Sequence, residues 1–363
     1  MSCKPKEGNA GNQSGKRKDS SIAQNFYKRF EGTIAGQPVI LHLHKTENKF
    51  SGIYYYRKTG GWLTIIADTI FSDSILLSEY APVYNTNNDT DAETLRPQLK
   101  CKLQNDMLTG TWVSSDKKTS YPINLKENYP SGSYKFSLED YADSIKAFPQ
   151  KNEPMAEMNN SFVVCINNSW LNGEIKKLLS FDSSLDFKAG FNRAKTDYFN
   201  DYKKDVADQT DTLYYQTLNY SLSQNLYVRY NENDIVILES EYYMFSGGAH
   251  GNYGNTFFCF DVAAKKQLKL SDIIAVDSAT LQPIVEKYFR TEYNVKSNLN
   301  EILFNNHLPA NDNFYFNEKK IGYLYNPYEV AYYAQGQIDV FIPLSALQKF
   351  INPDFKKRMG INF

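Results

Sequence analysis

Short runs of β-branched and aromatic residues, each followed by turn-forming residues, fill the first third of the chain. About eight such runs lie between Phe26 and Leu125. Breaks such as those at 35–37, 46–48, 59–61 and 104–106 separate them at regular spacing. This spacing predicts an antiparallel β-meander, curled or closed into a barrel. Its interior would be filled with side chains or would hold a small ligand.

The rest of the chain mixes helical and strand periodicity. Apolar residues recur at three-to-four spacing in 168–181, 187–206 and 278–294, which predicts three helices. Strand patterns occupy 161–166, 212–230, 235–262, 314–325 and 338–342. We expect an α+β fold, with the meander followed by an antiparallel sheet that packs helices on one face. The predicted units are a tether at 1–25, the meander at 26–127 and the α+β domain at 150–355.

A glycine-rich connection between two strands is the most distinctive stretch. The apolar runs 235–245 and 253–262 flank Ser246 to Asn252, which include Gly247, Gly248 and Gly251. Three glycines within five residues permit positive φ or close backbone approach. We therefore predict a strand pair whose connection has a specific shape around His250.

His250 is the candidate for chemistry in this connection. A general base needs a carboxylate partner, and Glu239, Glu241, Asp261 and Glu329 are the candidates, although no spacing secures any of them. The structural alternative is that His250 bonds to backbone and fixes the loop. Glu239 and Glu241 share one strand face and are interpreted as solvated charges. We assign no catalytic residue.

A tyrosine-rich segment is the second candidate site. Tyr325, Tyr328 and Glu329 would line a groove with residues 247–251, because tyrosine rings give contact area at low entropic cost. Alternatively, Asn326-Pro327 starts a helix and the tyrosines pack. The predicted binding residues are therefore Gly247, Gly248, His250, Gly251, Tyr325, Tyr328 and Glu329.

Charge, cysteine and histidine patterns narrow the classes of partner. The net charge of −1 gives no basic bias for nucleic acid. Residues 1–22 hold five basic and two acidic residues, so the remainder is mildly acidic, which either favours a basic partner or is the ordinary charge of a protein surface. No zinc-type Cys spacing occurs, and Cys101, Cys165 and Cys259 are expected as buried thiols, with a Cys165–Cys259 disulfide as the alternative. His42 and His44 share a strand face without a third ligand, so no metal or cofactor is predicted.

The first residues resemble a processed bacterial lipoprotein. Met1-Ser2-Cys3 precedes about twenty polar residues rich in Lys, Gly, Asn, Gln and Ser. In this interpretation Cys3 carries the lipid and the tether holds the domains off a membrane, with no other membrane contact. The alternative is a polar tail with an incidental cysteine. We expect a cell-envelope protein, in the periplasm or on the cell surface.

Two motifs carry a resemblance to a known family. The run Tyr242–Gly254 (YYMFSGGAHGNYG) and the later Asn326-Pro327-Tyr328-Glu329, with 340–343, resemble the carboxy-terminal domain of RsiV-like proteins. That family includes an anti-sigma factor whose extracellular part binds lysozyme. Residues 155–222 are similar to its upstream domain, which also occurs beside the catalytic domain of a PdaC-type peptidoglycan deacetylase. The resemblance covers about 155–355 and leaves the meander outside.

Together these features predict a non-enzymatic envelope lipoprotein. It would bind a cell-wall glycan or peptide, or a secreted protein such as lysozyme. The first alternative is a hydrolase or deacetylase of cell-wall polymers that uses His250. The second is a carrier that holds a small ligand in the barrel.

Overall fold

Eight strands close into an antiparallel barrel in the amino-terminal part. The structure, a computed structural model, describes residues 25–47, 49–70, 74–80, 96–148, 154–207 and 217–363. The barrel strands are β1 (Phe26–Ile34), β2 (Gln37–Thr46), β3 (Lys49–Tyr56), β4 (Leu63–Ile70), β5 (Ile75–Tyr80), β6 (Gln98–Gln104), β7 (Met107–Val113) and β8 (Ser120–Glu127). Each strand pairs with the next, and β1 pairs with β8 to close the barrel. The predicted meander is confirmed. The tether and Cys3 lie outside the described residues.

Apolar side chains from all eight strands fill the barrel interior. On β2, Val39, Leu41 and Leu43 point into this core. Because side chains alternate along a strand, Ile40, His42 and His44 point outward. These three outward residues are nevertheless buried, since the barrel wall packs against the rest of the molecule. The packed interior gives no support to the carrier alternative.

A six-stranded sheet forms the centre of the remaining chain. Its strands are β9 (Phe136–Lys146), β10 (Met155–Cys165), β11 (Tyr220–Glu232), β12 (Ile235–Ser246), β13 (Asn252–Asp261) and β14 (Lys266–Gln267). Their order in the sheet is β14-β13-β12-β11-β10-β9. The predicted α+β class is confirmed, but this sheet is mixed, because β10 and β11 pair in parallel. A parallel pair needs a long crossover, and two helices supply it. Residues 136–146, between the two predicted domains, form the edge strand β9.

Both faces of this sheet are covered. Helices α1 (Ser169–Leu178) and α2 (Phe187–Ala207) pack on one face with Val236 and Leu238. On the other face, Ile235 and Ile237 pack against a second layer. That layer contains α3 (Leu270–Ile273), α4 (Ser278–Glu292), β15 (Phe314–Phe316), β16 (Lys320–Tyr325), β17 (Ile338–Pro343) and α5 (Pro353–Arg358). The strands β15, β16 and β17 form their own antiparallel sheet.

A side chain caps the start of α1, the first helix predicted from the sequence. The Asn168 side chain accepts a hydrogen bond from the backbone N–H of Leu171 at 3.0 Å. An amide at this position satisfies one of the N–H groups that the first helical turn leaves free. The helix thus begins where the apolar spacing of 168–181 predicted it.

Two histidines lie where the barrel packs on the large sheet. Tyr27 Oη lies 2.9 Å from His42 Nδ1. His44 Nε2 accepts a hydrogen bond from the backbone N–H of Val228 on β11 at 3.0 Å. Burial lowers the pKa of both histidines well below 6.5. His44 thus joins the barrel to the sheet in neutral form, while His42 bonds to Tyr27 within the barrel.

Buried thiols occupy the predicted cysteine positions. Cys101, Cys165 and Cys259 are free and buried, so the alternative Cys165–Cys259 disulfide is not formed. Burial raises the pKa of the Cys101 thiol to about 12. Within the described ranges, no helix is both long and apolar enough to cross a membrane.

Candidate functional site

The connection between β12 and β13 depends on its glycines. Gly247 and Gly248 have φ of +89° and +97°, where a side chain with a Cβ is strained. At Gly251, a Cβ would lie 2.6 Å from the ring of Tyr243. Both expected uses of glycine, positive φ and close approach, therefore occur in this connection.

His250 at this connection contacts backbone and tyrosine rings. Its ring stacks on Tyr333, with centroids 4.0 Å apart and an interplanar angle of 23°. Its Nδ1 lies 3.0 Å from the carbonyl oxygen of Gly251, and its Nε2 lies 3.4 Å from the hydroxyl of Tyr328. In the part of the chain that the structure describes, no carboxylate is hydrogen-bonded to His250. The geometry matches the structural alternative for this histidine.

The candidate carboxylates have other partners. Glu329 accepts hydrogen bonds from the backbone N–H and the side-chain amide of Asn326, at 3.0 and 3.3 Å. Asp261 forms an ion pair with Arg358. The arginine and the hydrogen bonds to this carboxylate hold the pKa of Asp261 below its usual range, against the opposing effect of burial. Neither residue is placed to orient His250 as a base.

The two candidate tyrosines lie in different environments. Tyr328 is 53% exposed and faces His250. Tyr325 is 1% exposed, and its hydroxyl donates to the carbonyl of Pro309 at 2.6 Å. Because Tyr325 lies on the central strand β16 of the small sheet, its ring belongs to the core and lines no groove.

Neighbouring rings extend the surface around His250 beyond the predicted residues. Tyr333 donates a hydrogen bond from its hydroxyl to the Gly251 carbonyl at 2.8 Å, which ties its loop to the glycine connection. Tyr332 is 70% exposed and meets Phe304 edge to face. We call His250, Tyr328, Tyr332, Tyr333 and Phe304 the aromatic surface. The position of Tyr333 in the sequence gave no sign that its ring would stack on His250.

A polar cavity of about 330 Å³ lies behind this surface, between the barrel and the two sheets. The barrel contributes Trp62 and Thr64, the large sheet Arg229 and Glu239, and the small sheet Asp339. No sequence pattern indicated it, because its walls come from segments far apart in the chain. An arginine within the mostly apolar run 226–230 is the one sequence feature that could have indicated a buried polar site.

Arg229 forms the centre of a buried ion-pair cluster in this cavity. Its Nε donates to Glu239, and Nη2 lies 3.4 Å from an oxygen of Glu241. The side-chain amide of Asn255 donates to the other oxygen of Glu239 at 2.6 Å. Glu239 is 7% exposed, so the interpretation of Glu239 and Glu241 as solvated strand charges is wrong for Glu239. The cause is the second layer of structure, which covers this face of the sheet.

Two carboxyl groups of the cavity have raised pKa values. Burial raises the pKa of Asp339 to about 7, although the Tyr315 hydroxyl donates to one of its oxygens. Burial and the neighbouring carboxylate of Glu239 also raise the pKa of Glu241. Its side chain keeps 36% of its surface exposed. Both groups thus lie close to the boundary between protonated and ionised forms at neutral pH.

Asn326 connects the aromatic surface with the cavity. Its side-chain oxygen accepts hydrogen bonds from the backbone N–H of Asn255 at 2.7 Å and from the Gln337 amide at 3.0 Å. Asn255 and Gln337 both line the cavity. The segment 326–337 therefore forms one wall shared by the two features. No group of three or more potential metal ligands occurs among the described residues.

Two family profiles match parts of the chain. Residues 271–345 match a family described as "Protein of unknown function (DUF3298)". Residues 116–253 match the profile described as "Deacetylase PdaC". Residues 254–270 separate the two matches, which together include the five residues of the aromatic surface and the Arg229 and Asp339 walls of the cavity. A comparison with curated protein sequences gave no match.

One solved structure shares its fold with about two thirds of the chain. A member of the DUF3298 family from Bacteroides fragilis superposes with a TM-score of 0.57 at 18% identity, covering 63% of this chain and 99% of that chain. A DUF3298 family protein from Pseudomonas aeruginosa gives a TM-score of 0.46 at 16% identity, covering 62% and 98%. At these identities the first likeness establishes the fold and nothing about the ligand.

Proposed function

We propose that this protein is a cell-envelope binding protein that recognises a glycan fragment of the cell wall on the aromatic surface, without chemistry at His250. The observation that carries this proposal is the stack of His250 on Tyr333 beside the exposed ring of Tyr328. Sugar rings present C–H faces that pack on aromatic rings, while their hydroxyls bond to polar tips. Tyrosine and histidine provide both contacts.

The rigidity of the surface favours binding. The Tyr333 hydroxyl is bonded to Gly251, and Glu329 fixes the turn before Tyr328 through Asn326. Rings that are held in place lose little entropy when a ligand orders them. An exposed group of aromatic residues that the fold keeps at the surface is also a common mark of an interaction site.

The comparisons support the envelope part of the proposal. The DUF3298 and PdaC matches fit a protein of the cell envelope, and the PdaC description names a deacetylase. The resemblance to RsiV-like proteins extends this to a receptor-like domain. Lipidation of Cys3, and attachment to a membrane through it, belong to the same proposal.

A protein ligand such as lysozyme is the second candidate for the same surface. The RsiV-like resemblance motivates it, and the mildly acidic balance outside residues 1–22 fits a basic partner. A hydrolase or deacetylase that uses His250 has no such support, because His250 has no carboxylate partner among the described residues.

Calorimetric titration with soluble muropeptides, and separately with lysozyme, tests the proposal. We expect muropeptide binding that Tyr333→Ala weakens about fivefold, since an aromatic contact is worth about 1 kcal/mol. Tyr333→Phe keeps the ring but loses the hydrogen bond to Gly251, so it should bind more weakly than the wild type and more tightly than Tyr333→Ala. Tyr121→Ala removes a tyrosine on β8 that is 43% exposed and serves as the matched control.

The outcomes separate the candidates. If only lysozyme gives binding heat, and Tyr333→Ala abolishes it, the ligand of the aromatic surface is a protein and not a glycan. Heat with neither ligand, or muropeptide binding that Tyr333→Ala leaves unchanged, would refute the aromatic surface as the binding site.

A further inference from the structure

The cavity behind the aromatic surface contains two buried polar atoms without a partner. Arg229 is 6% exposed, and its Nη1 forms no hydrogen bond with any described residue. Oδ1 of Asp339, on the opposite wall, likewise forms no hydrogen bond with any described residue. A buried donor or acceptor without a partner costs about 1–3 kcal/mol, so few remain in folded proteins. One open donor and one open acceptor in the same cavity indicate a ligand that provides both.

The charge of the walls indicates which groups the ligand carries. One guanidinium, that of Arg229, faces three carboxyl groups, those of Glu239, Glu241 and Asp339. Arg229 and Glu239 neutralise each other through a close ion pair, and Asn255 satisfies the remaining oxygen of Glu239. The carboxyl groups of Glu241 and Asp339 therefore lack a full counter-charge within the cavity. A cation between them would supply it.

Aromatic walls favour an organic cation. Trp62 stacks on Tyr315 with ring centroids 4.2 Å apart, and Phe257 lies beside both rings. Ring faces attract ammonium groups and also cover the apolar part of a small molecule. The volume of about 330 Å³ is at the small end of the range for small-molecule sites.

We propose that this cavity binds a small organic ligand that carries a primary ammonium next to an oxygen acceptor. The ammonium donates to Asp339 and Glu241, and the oxygen accepts from Nη1 of Arg229. Amino sugars with a free amine and amino acids both have this chemistry. The site is distinct from the aromatic surface and goes beyond the function proposed above, so it stands even if no glycan binds there.

The opening of the cavity lies at its barrel side. Ile66 on β4 is 43% exposed, and the Glu241 side chain keeps 36% of its surface. Both line the cavity, so a ligand of this size reaches Asp339 between the barrel and the large sheet. Recognition then depends on the barrel, which the matched DUF3298 segment at 271–345 does not include.

Calorimetric titration of the full chain at pH 7 with glucosamine, lysine and N-acetylglucosamine tests the inference. We expect glucosamine or lysine to bind. Tighter binding of glucosamine identifies the ligand class as amino sugars, and tighter binding of lysine identifies it as amino acids. N-acetylglucosamine, which has no ammonium, should bind at least tenfold more weakly. Asp339→Asn should weaken binding of the amine about tenfold, whereas the exposed Asp106→Asn and the aromatic-surface variant Tyr333→Ala should not.

Folding of the variants is checked by thermal unfolding. Glu241→Gln is the second variant, because its partly exposed side chain can be replaced with little effect on folding. Three results would each overturn the inference: no heat with either amine, equal binding of N-acetylglucosamine, or unchanged amine binding in folded Asp339→Asn and Glu241→Gln. Loss of amine binding with retained muropeptide binding would separate this site from the aromatic surface.

Discussion

Replacing His44 by glutamine should make the stability of the protein less sensitive to acid. His44 lies on the outer face of the barrel, 1% exposed, and its Nε2 accepts from the Val228 backbone. Its ring also lies 5.0 Å from Tyr27 and 5.1 Å from Tyr227, measured between centroids. Glutamine has an oxygen that can accept from Val228 but does not take up a proton in this pH range.

The size of the effect follows from the pKa of His44. Burial, helped by the charge of Arg229, lowers this pKa well below 6.5 in the folded state. As the pH falls through 6.5, the unfolded chain takes up a proton at His44 while the folded chain does not, so the free energy of unfolding falls. The loss continues until the pH reaches the lower folded-state pKa. Between pH 7 and 5 it amounts to about 2 kcal/mol.

Urea unfolding of the wild type and His44→Gln at pH 7 and pH 5 measures this loss. Asp339 and Glu292, whose pKa values burial raises to about 7 and 8, work in the opposite direction, because the folded state takes up their protons first. Their contribution is the same in both proteins and cancels in the difference. The exposed His307→Gln controls for removing an imidazole elsewhere.

From pH 7 to pH 5, the free energy of unfolding of the wild type should fall by about 2 kcal/mol more than that of His44→Gln. A difference that does not change with pH would refute the reasoning. It would mean that His44 is protonated as easily in the folded chain as in the unfolded one, and that the barrel does not pack on β11 as described.

Three further stability predictions concern the buried ion pair of the cavity and two glycines. Arg229→Met should lower the free energy of unfolding by about 3–5 kcal/mol, because Glu239 is left buried without its cation. Adding Glu239→Leu should recover part of this loss. If urea titrations show that the losses of the two single variants simply add in the double variant, the ion pair is contradicted. Gly322→Ala should cost about 1–3 kcal/mol, since its Cβ would meet the buried Tyr315 ring at 2.3 Å. Gly173→Ala in α1, where a Cβ meets no atom within 4 Å, should raise the free energy of unfolding by up to about 1 kcal/mol. A higher thermal midpoint for Gly322→Ala than for Gly173→Ala would contradict this packing.

Local patterns in the sequence were sufficient to predict most elements. The alternation at Val39, Leu41 and Leu43 indicated a strand with one core face, and these residues point into the barrel. Asn168 marked the start of α1, and its side chain caps the helix. These features depend on neighbours within a few residues, which the sequence displays directly.

Long-range contacts account for what the sequence analysis missed. Glu239 and His44 sit on strand faces that would be solvated in an isolated sheet, but the second layer covers Glu239 and the large sheet covers His44. The parallel pairing of β10 and β11 depends on where the helical crossover returns, which periodicity does not indicate.

Because long-range contacts also build the candidate site, only part of it could be predicted from the sequence. The glycine connection was recognisable because positive φ leaves a sequence signal, and it brings His250 next to Tyr328. Tyr325 was assigned to a surface from its neighbours in the chain, whereas its position on a central strand buries it. The cavity joins Trp62, Arg229 and Asp339, which are too far apart in sequence for any motif.

A crystal structure of the full chain with a bound cell-wall glycan fragment tests the central claim most directly. The account predicts a sugar ring in contact with Tyr333 and Tyr328, with His250 bonded to the Gly251 carbonyl as in the free protein. A glycan found on any other face of the molecule, or a His250 that has turned to contact a scissile bond, would contradict it.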